Sequence, residues 1–235
     1  MRIFGAILFP FFINIGFAQV SKEDFAKINK VYISHPQLYF KAKYDLYKNQ
    51  NIKETFESEM GETKRNGNLL YTKIGKIESI HSEKYNVIVD NEDKTISLLA
   101  HDPDENGFDE KLYMINLEKT LKLCTKVEFA KEIGSQNSYL LTLPYSEYSQ
   151  VKITYNKKTF FIEKITLYYK KEQVLNEQDK NEKKEQPRVE ITYYDFDETP
   201  HFNETDFSYD KFLEKANGKF RCKSTYSGYT LKNLL

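Results

Sequence analysis

The chain has 235 residues, enough for one large domain or two small ones with a sizeable core. Basic and acidic side chains balance at 35 each, so the totals imply no strongly basic face and give nucleic-acid binding little support. The 18 Tyr and 17 Phe, with no Trp, suit half-buried strands, because a tyrosine ring can pack while its hydroxyl stays wet.

Arg2 followed by the apolar run Ile3 to Ile13, broken only by Gly5 and Pro10, reads as a secretory signal. Gly16-Phe17-Ala18 puts small residues where a signal peptidase needs them for a cut after Ala18. The run is shorter than the roughly 20 apolar residues of a transmembrane span. Residues 1–18 are therefore predicted to be a signal peptide. The mature chain is expected to be exported, to the periplasm or beyond the cell, as a single domain over residues 20–235. Export permits a disulfide between Cys124 and Cys222, the two cysteines of the chain. Their isolation in sequence favours two separate thiols.

Ser21 to Ser34 reads as a helix. Ser21 can cap it, Asp24 stands where a capping-box acid would, and Phe25, Ile28 and Val31 share a face. His35-Pro36 ends it. From Leu38 to Tyr47 the residues alternate: Leu38, Phe40, Ala42, Tyr44 and Leu46 form one face. Strand signals recur at Ile52–Met60, Asn68–Ile80 and Tyr85–Ala100, with turn chemistry at Asn66-Gly67 and Asn91-Glu92-Asp93. A short helix capped by Asn116 is expected to put Leu117, Leu121 and Cys124 on one side. Strands resume at Lys126–Ile133, Ser138–Leu143, Val151–Tyr155, Thr159–Lys170 and Arg188–Phe196. The stretch Lys171–Pro187 is almost wholly charged or polar and cannot bury itself, so it reads as a solvated hairpin loop. The tail from Lys215 to Leu235 holds five basic residues and no acid. It reads as an edge strand guarded by lysines, with contact to anionic lipid as the alternative.

Two hairpins share a plan. Tyr85 to Asp90 and Val151 to Asn156 each lead into a turn opened by Asp or Asn, then Lys-Thr, then a second strand. The fold class implied is mainly β, a curved antiparallel sheet with short helices.

This layout resembles the outer-membrane lipoprotein carrier and receptor superfamily (LolA/LolB-like). The resemblance rests on Phe25 to Tyr47, on Val87-Ile88-Val89-Asp90 with Lys94-Thr95, and on Val151 to Tyr155 with Lys158 to Ile165. It implies an incomplete β-barrel with helices across its concave face. It also implies a carrier or chaperone for an apolar ligand, such as a lipid or a lipoprotein acyl chain. Phe40, Tyr44, Ile153, Ile162, Ile165, Val189 and Ile191 are the expected apolar lining. The alternative is an envelope interaction or sensor module on the same scaffold, with its core filled by its own side chains. A monomer is expected in either case.

Catalytic signals are weak: no nucleophile elbow, no paired metalloprotease histidines and no phosphate-cradling glycine loop. No cofactor is implied. His35, His81, His101 and His201 have no common spacing and read as turn or surface residues. Asp102-Pro103-Asp104-Glu105-Asn106-Gly107 matches the opening of a calcium loop, but the closing position is Tyr113 instead of Glu. A polar loop explains the same residues.

Overall fold

A computed structural model of the chain describes residues 14–101, 117–175 and 183–235. The apolar run before Asn14, the calcium-loop residues Asp102, Asp104 and Asn106, the cap Asn116 and the tip of the charged loop lie outside the described residues.

Helix α1 spans Asn14–Ser34. It leads into strands β1 (Gln37–Tyr47), β2 (Glu57–Asn66), β3 (Leu69–Ile74), β4 (Ile77–His81), β5 (Tyr85–Asp90) and β6 (Thr95–Ala100). Helix α2 (Leu117–Leu123) precedes β7 (Lys126–Ile133), β8 (Gln136–Thr142), β9 (Tyr148–Asn156), β10 (Ile162–Tyr169) and β11 (Arg188–Asp197). The C-terminal segment adds a hairpin, β12 (Leu213–Ala216) and β13 (Lys219–Cys222), and a last strand β14 (Thr230–Leu234).

Among the described residues, twelve strands form one sheet in the order β14-β6-β5-β4-β3-β2-β1-β11-β10-β9-β8-β7. Two meanders therefore meet where the first strand pairs with the eleventh, antiparallel, from Tyr39↔Asp197 to Tyr47↔Arg188. The sheet curves without closing, and α1 and α2 lie across its concave side. Strand β14 runs parallel to its neighbour, β6, as an edge strand.

Local chemistry sets this path. The two related hairpins turn in the same way. Asp90 Oδ1 accepts the Glu92 and Asp93 amides, and Asn156 Oδ1 accepts those of Lys158 and Thr159. At Asn66-Gly67 the glycine takes a left-handed φ of +61°, as a tight turn between β2 and β3 requires. Asp195 is also left-handed, at φ 54°, in a bulge that shifts the β1–β11 register. The extra residue lets both Tyr193 and Phe196 pack on Phe40, with ring centroids 5.6 Å away in each pair. Arg188 pins the loop after β1: its Nη1 donates to the carbonyls of Asn49, Gln50 and Ile52, and its guanidinium stacks 3.8 Å from the Tyr47 ring centroid.

The structure departs from the sequence reading in the bounds of two elements. The second strand is Glu57–Asn66, not Ile52–Met60. Helix α1 begins at Asn14, upstream of Ser21, so Asp24 lies inside it and is no capping acid. The C-terminal segment does not approach the interior of the sheet.

This last point follows from the register. The row Phe40–Thr63–Thr72–Ser79–Ile88–Ser97 crosses β1 to β6 on one face. Phe40 belongs to the apolar cluster beneath α1, so that face is concave. The second apolar cluster uses Tyr71, Ile80, Val87, Val89, Ile96 and Leu98, which alternate with that row and point the other way. They bury Phe207, Phe212 and Leu213 of the C-terminal segment against the convex side. The two cores thus lie under opposite faces of opposite halves of one sheet. Lys64–Asp206 (3.0 Å) and Lys211–Glu78 (2.9 Å) tie the segment down. Cys124 packs at the first core and Cys222 at the second, so the sheet separates them and both are free thiols.

Candidate functional site

The concave face of the half formed by β1 and β7–β11 is built from two apolar rows. One runs Tyr44–Ile191–Ile165–Ile153–Tyr139–Phe129 across six strands. The next runs Leu46–Val189–Leu167–Val151–Leu141–Val127. Each strand contributes alternate residues, because a strand's side chains point to the two faces in turn. Phe40 and Ile162 share this face. All seven residues expected as apolar lining are therefore brought together on one side of the sheet.

Their exposure differs along the strands. Phe40, Ile153, Ile162 and Ile165 are buried in the core beneath α1. Tyr44, Val189 and Ile191 are half-buried, as are Leu46 and Leu167 beside them. Phe25, Ile28 and Tyr32 of α1 fill the space above the buried part. Their spacing places them on one face of the helix, and full burial of each apolar side chain stabilises the packing by about 1.5–3 kcal/mol. Leu117 of α2 joins the same cluster, with Leu121 and Cys124 against it.

Polar contacts hold α1 along its length. Asp24 Oδ2 accepts the hydroxyls of Tyr139 (2.8 Å) and Tyr155 (2.5 Å), and Tyr155 also accepts from Asn137 Nδ2. Burial, and then the hydrogen bond to Asp24, push both phenols well above their ordinary range, so both remain donors at neutral pH. Tyr32 Oη accepts the Ile162 amide at 3.1 Å. At the end of the helix, Arg65 from β2 donates to the carbonyls of Tyr32 and His35, and His35 Nε2 pairs with Glu198 at 2.7 Å.

Asp24, Tyr139, Tyr155 and Arg65 were not legible as site residues. One signal was available: the chain has four arginines among many lysines, and the two interior ones, Arg65 and Arg188, both bind backbone carbonyls. A planar fork of donors suits that task better than an ammonium does.

The other half of the concave face is polar. Thr63, Thr72 and Ser79 are buried there, and Thr72 and Ser79 share a hydroxyl bond of 2.7 Å. The adjoining row is Leu38–Arg65–Leu70–His81–Asn86–Leu99. His81, expected at a turn or surface, is buried and meets the ring of His101 at 4.6 Å between centroids. On the convex side, Ser138, Lys152, Thr154, Lys164, Thr192 and Tyr194 help to line a groove of about 480 Å³. Its walls are largely hydroxyl and charged groups, unlike the concave rows.

No family model matches the chain, and no curated protein sequence matches it significantly. Solved structures do align with it. An uncharacterized conserved protein from Thermus thermophilus aligns over 80% of this chain and 93% of its own, with 8% identity and a TM-score of 0.47. A LolA superfamily protein from Nitrosomonas europaea aligns over 81% and 98%, with 10% identity and a TM-score of 0.39. The Mycobacterium tuberculosis lipoprotein LppX aligns over 79% and 99%, with 6% identity and a TM-score of 0.41. At these identities the likeness concerns the path of the backbone alone.

Proposed function

We propose that this is an exported cell-envelope binding protein that carries an apolar chain, such as a lipid or a lipoprotein acyl group, on its concave face. The cut after Ala18 belongs to the same reading, as does a periplasmic location. The observation that carries it is the continuity of the two apolar rows. They are sealed beneath α1 and half-exposed at Tyr44, Leu46, Val189, Ile191 and Leu167. An acyl chain entering at that end gains about 0.8 kcal/mol per buried CH₂. To go deeper it must replace Phe25, Ile28 and Tyr32. The helix thus acts as a stand-in for the ligand, and its polar anchors set the cost of exchange.

Lipid extraction and native mass spectrometry of protein purified from its own envelope test this directly. Recovery of a bound lipid, and binding of a fluorescent fatty-acid probe weakened by Ile191→Asp, are the expected results. Repeated recovery without lipid, together with no probe binding, defeats the proposal.

A second reading has its own observation. The space beneath α1 is filled by the protein's own side chains, which suits an interaction module with a closed core. Under it, a specific envelope protein co-purifies and is lost when the Lys171–Pro187 loop is shortened, while acyl probes do not bind.

A further inference from the structure

The C-terminal segment packs on the convex side of β3–β6. The convex side of β8–β11 carries instead the groove of about 480 Å³, a volume in the range of small-molecule sites. Its floor follows one register row, Ser138–Thr154–Lys164–Thr192. Lys152 and Tyr194 stand two residues from Thr154 and Thr192 on the same strands, so alternation puts them on the same face. The register shift before Lys164 brings Glu163 to this side as well. Lys152 lies opposite Thr166, and Lys164 opposite Thr154, so the two lysines occupy diagonal positions on adjacent strands. Long side chains on such a diagonal reach one another.

The polar groups of the groove are unevenly used. Both carboxylate oxygens of Glu163 are engaged, Oε2 by Gln136 Nε2 and Oε1 by Asn156 Nδ2. Lys164 pairs with Glu190 at 3.0 Å, which occupies one of its three N–H donors. Lys152 is half-buried and, among the described residues, has neither an ion pair nor a hydrogen bond. Ser138 and Thr154, at 6% and 9% exposure, share one hydroxyl bond of 2.9 Å. That bond uses one of their two O–H groups and leaves the other to donate elsewhere. Thr192 and Tyr194 add two further hydroxyls. The groove thus holds an uncompensated ammonium and a surplus of donors. A carboxylate or phosphate oxygen is the partner that such donors bind most strongly. The space far exceeds a lone ion of that kind, and Tyr194 and Ile133 give it apolar walls.

We propose that this groove binds an anionic saccharide, a sugar that carries a carboxylate or a phosphate. Lys152 takes the anionic group, with the free donors of Lys164 beside it. The hydroxyl row meets the hydroxyls of the sugar, and the Tyr194 ring covers a C–H face. The groove and the apolar rows lie on opposite sides of the sheet, so this inference does not rest on acyl binding.

The test titrates isotope-labelled protein with glucuronate, glucose-6-phosphate, glucose and inorganic phosphate, followed by NMR. Both anionic sugars are expected to bind saturably and to shift amides of β8–β11 around Thr154 and Thr192. Glucose and inorganic phosphate should each bind at least about tenfold more weakly, since each offers half of the recognised features. Lys152→Met keeps the apolar stem and strands no partner, so it should fold, as circular dichroism verifies. It should weaken both anionic sugars by about tenfold or more. Lys73→Met, at an exposed position on β3, should leave binding unchanged, as should a saturating fatty-acid probe. The proposal is overturned if neither anionic sugar binds saturably, or if glucose or inorganic phosphate binds as tightly as glucose-6-phosphate. Binding that is unaltered in Lys152→Met, or lost in Lys73→Met, overturns it equally.

Discussion

Removing one hydroxyl from the anchor of α1 tests how firmly the helix is held on the sheet. In Tyr155→Phe the ring keeps its neighbours, Tyr139 at 6.2 Å and Phe160 at 5.9 Å between centroids. The hydrogen bonds lost among the described residues include the one to Asp24 Oδ2 and the one accepted from Asn137. A hydrogen bond to a charged acceptor stabilises by about 1.5–3 kcal/mol, and Asp24 is half-exposed, which favours the lower end. Tyr139 still donates to the same oxygen, so the expected loss is about 1–1.5 kcal/mol, a fall of roughly 2–6 °C in melting temperature. Tyr139→Phe should cost a similar amount. The double variant should lose a different amount from the sum of the two, because both donors serve one atom. Hydrogen exchange resolved by residue is the decisive assay. Amides from Glu23 to Ser34 should exchange about five- to tenfold faster in either single variant, while those of β3 to β6, over the other core, stay unchanged. Unchanged exchange in α1, or equal acceleration across both halves of the sheet, would refute the reasoning.

Three further outcomes are expected. Gly61→Ala should destabilise by about 1–3 kcal/mol in urea unfolding, because a Cβ there meets the Lys73 carbonyl oxygen at 2.8 Å and Tyr44 Cε2 at 2.9 Å. Burial acts to raise the Glu78 carboxyl, but hydrogen bonds from Lys211, Tyr71 and Asn91 outweigh it and leave it below the usual range. Its stabilising contribution is therefore present above the ordinary carboxylate value and lost as pH falls through the lower folded value. Glu78→Gln should be less stable at pH 7 by about 1–2 kcal/mol, and the gap should narrow toward pH 3; parallel pH curves would count against this. Burial pushes the Cys124 thiol up to about 11, so iodoacetamide at pH 8 should label it slowly in the native protein. In urea without reductant, both thiols should label at once.

The fold was legible wherever one face of a strand is apolar. Leu38–Leu46, Val151–Tyr155 and Val189–Tyr193 alternate because one side packs and the other does not, and their pairing follows. Strand β2 escaped for the opposite reason. Its sequence, Glu57 to Asn66, contributes nothing to either apolar cluster, so no hydrophobic rhythm marks it, and the nearby Ile52 drew the boundary upstream. That the apolar residues of the lining share a face was readable from parity, except for Ile162, which joins it through the register shift before Lys164. The anchors were not. Asp24 meets Tyr139 and Tyr155 across more than a hundred residues, and no local pattern encodes that distance. The C-terminal segment reads as aromatic and basic, but which side of the sheet it covers depends on the parity of Tyr71, Ile80 and Val87. That parity acquires a direction only when β3 is registered through β2 to β1.

The placement of β2 has a mechanical consequence. Each wing of the sheet is stiffened by its own packed layer, one above and one below, and the two layers do not overlap at this strand. Flexing there strains backbone hydrogen bonds and the polar ties that β2 sends to each layer, Arg65 to the carbonyls at the end of α1 and Lys64 to Asp206, but neither apolar cluster, whereas bending either wing would have to open a close-packed interior. Glu57 to Met60 are exposed, and at Gly61 only a hydrogen stands beside Tyr44. The half-barrel therefore has a built-in crease. A mouth that widened or narrowed by pivoting along β2 would leave the apolar packing of both wings intact.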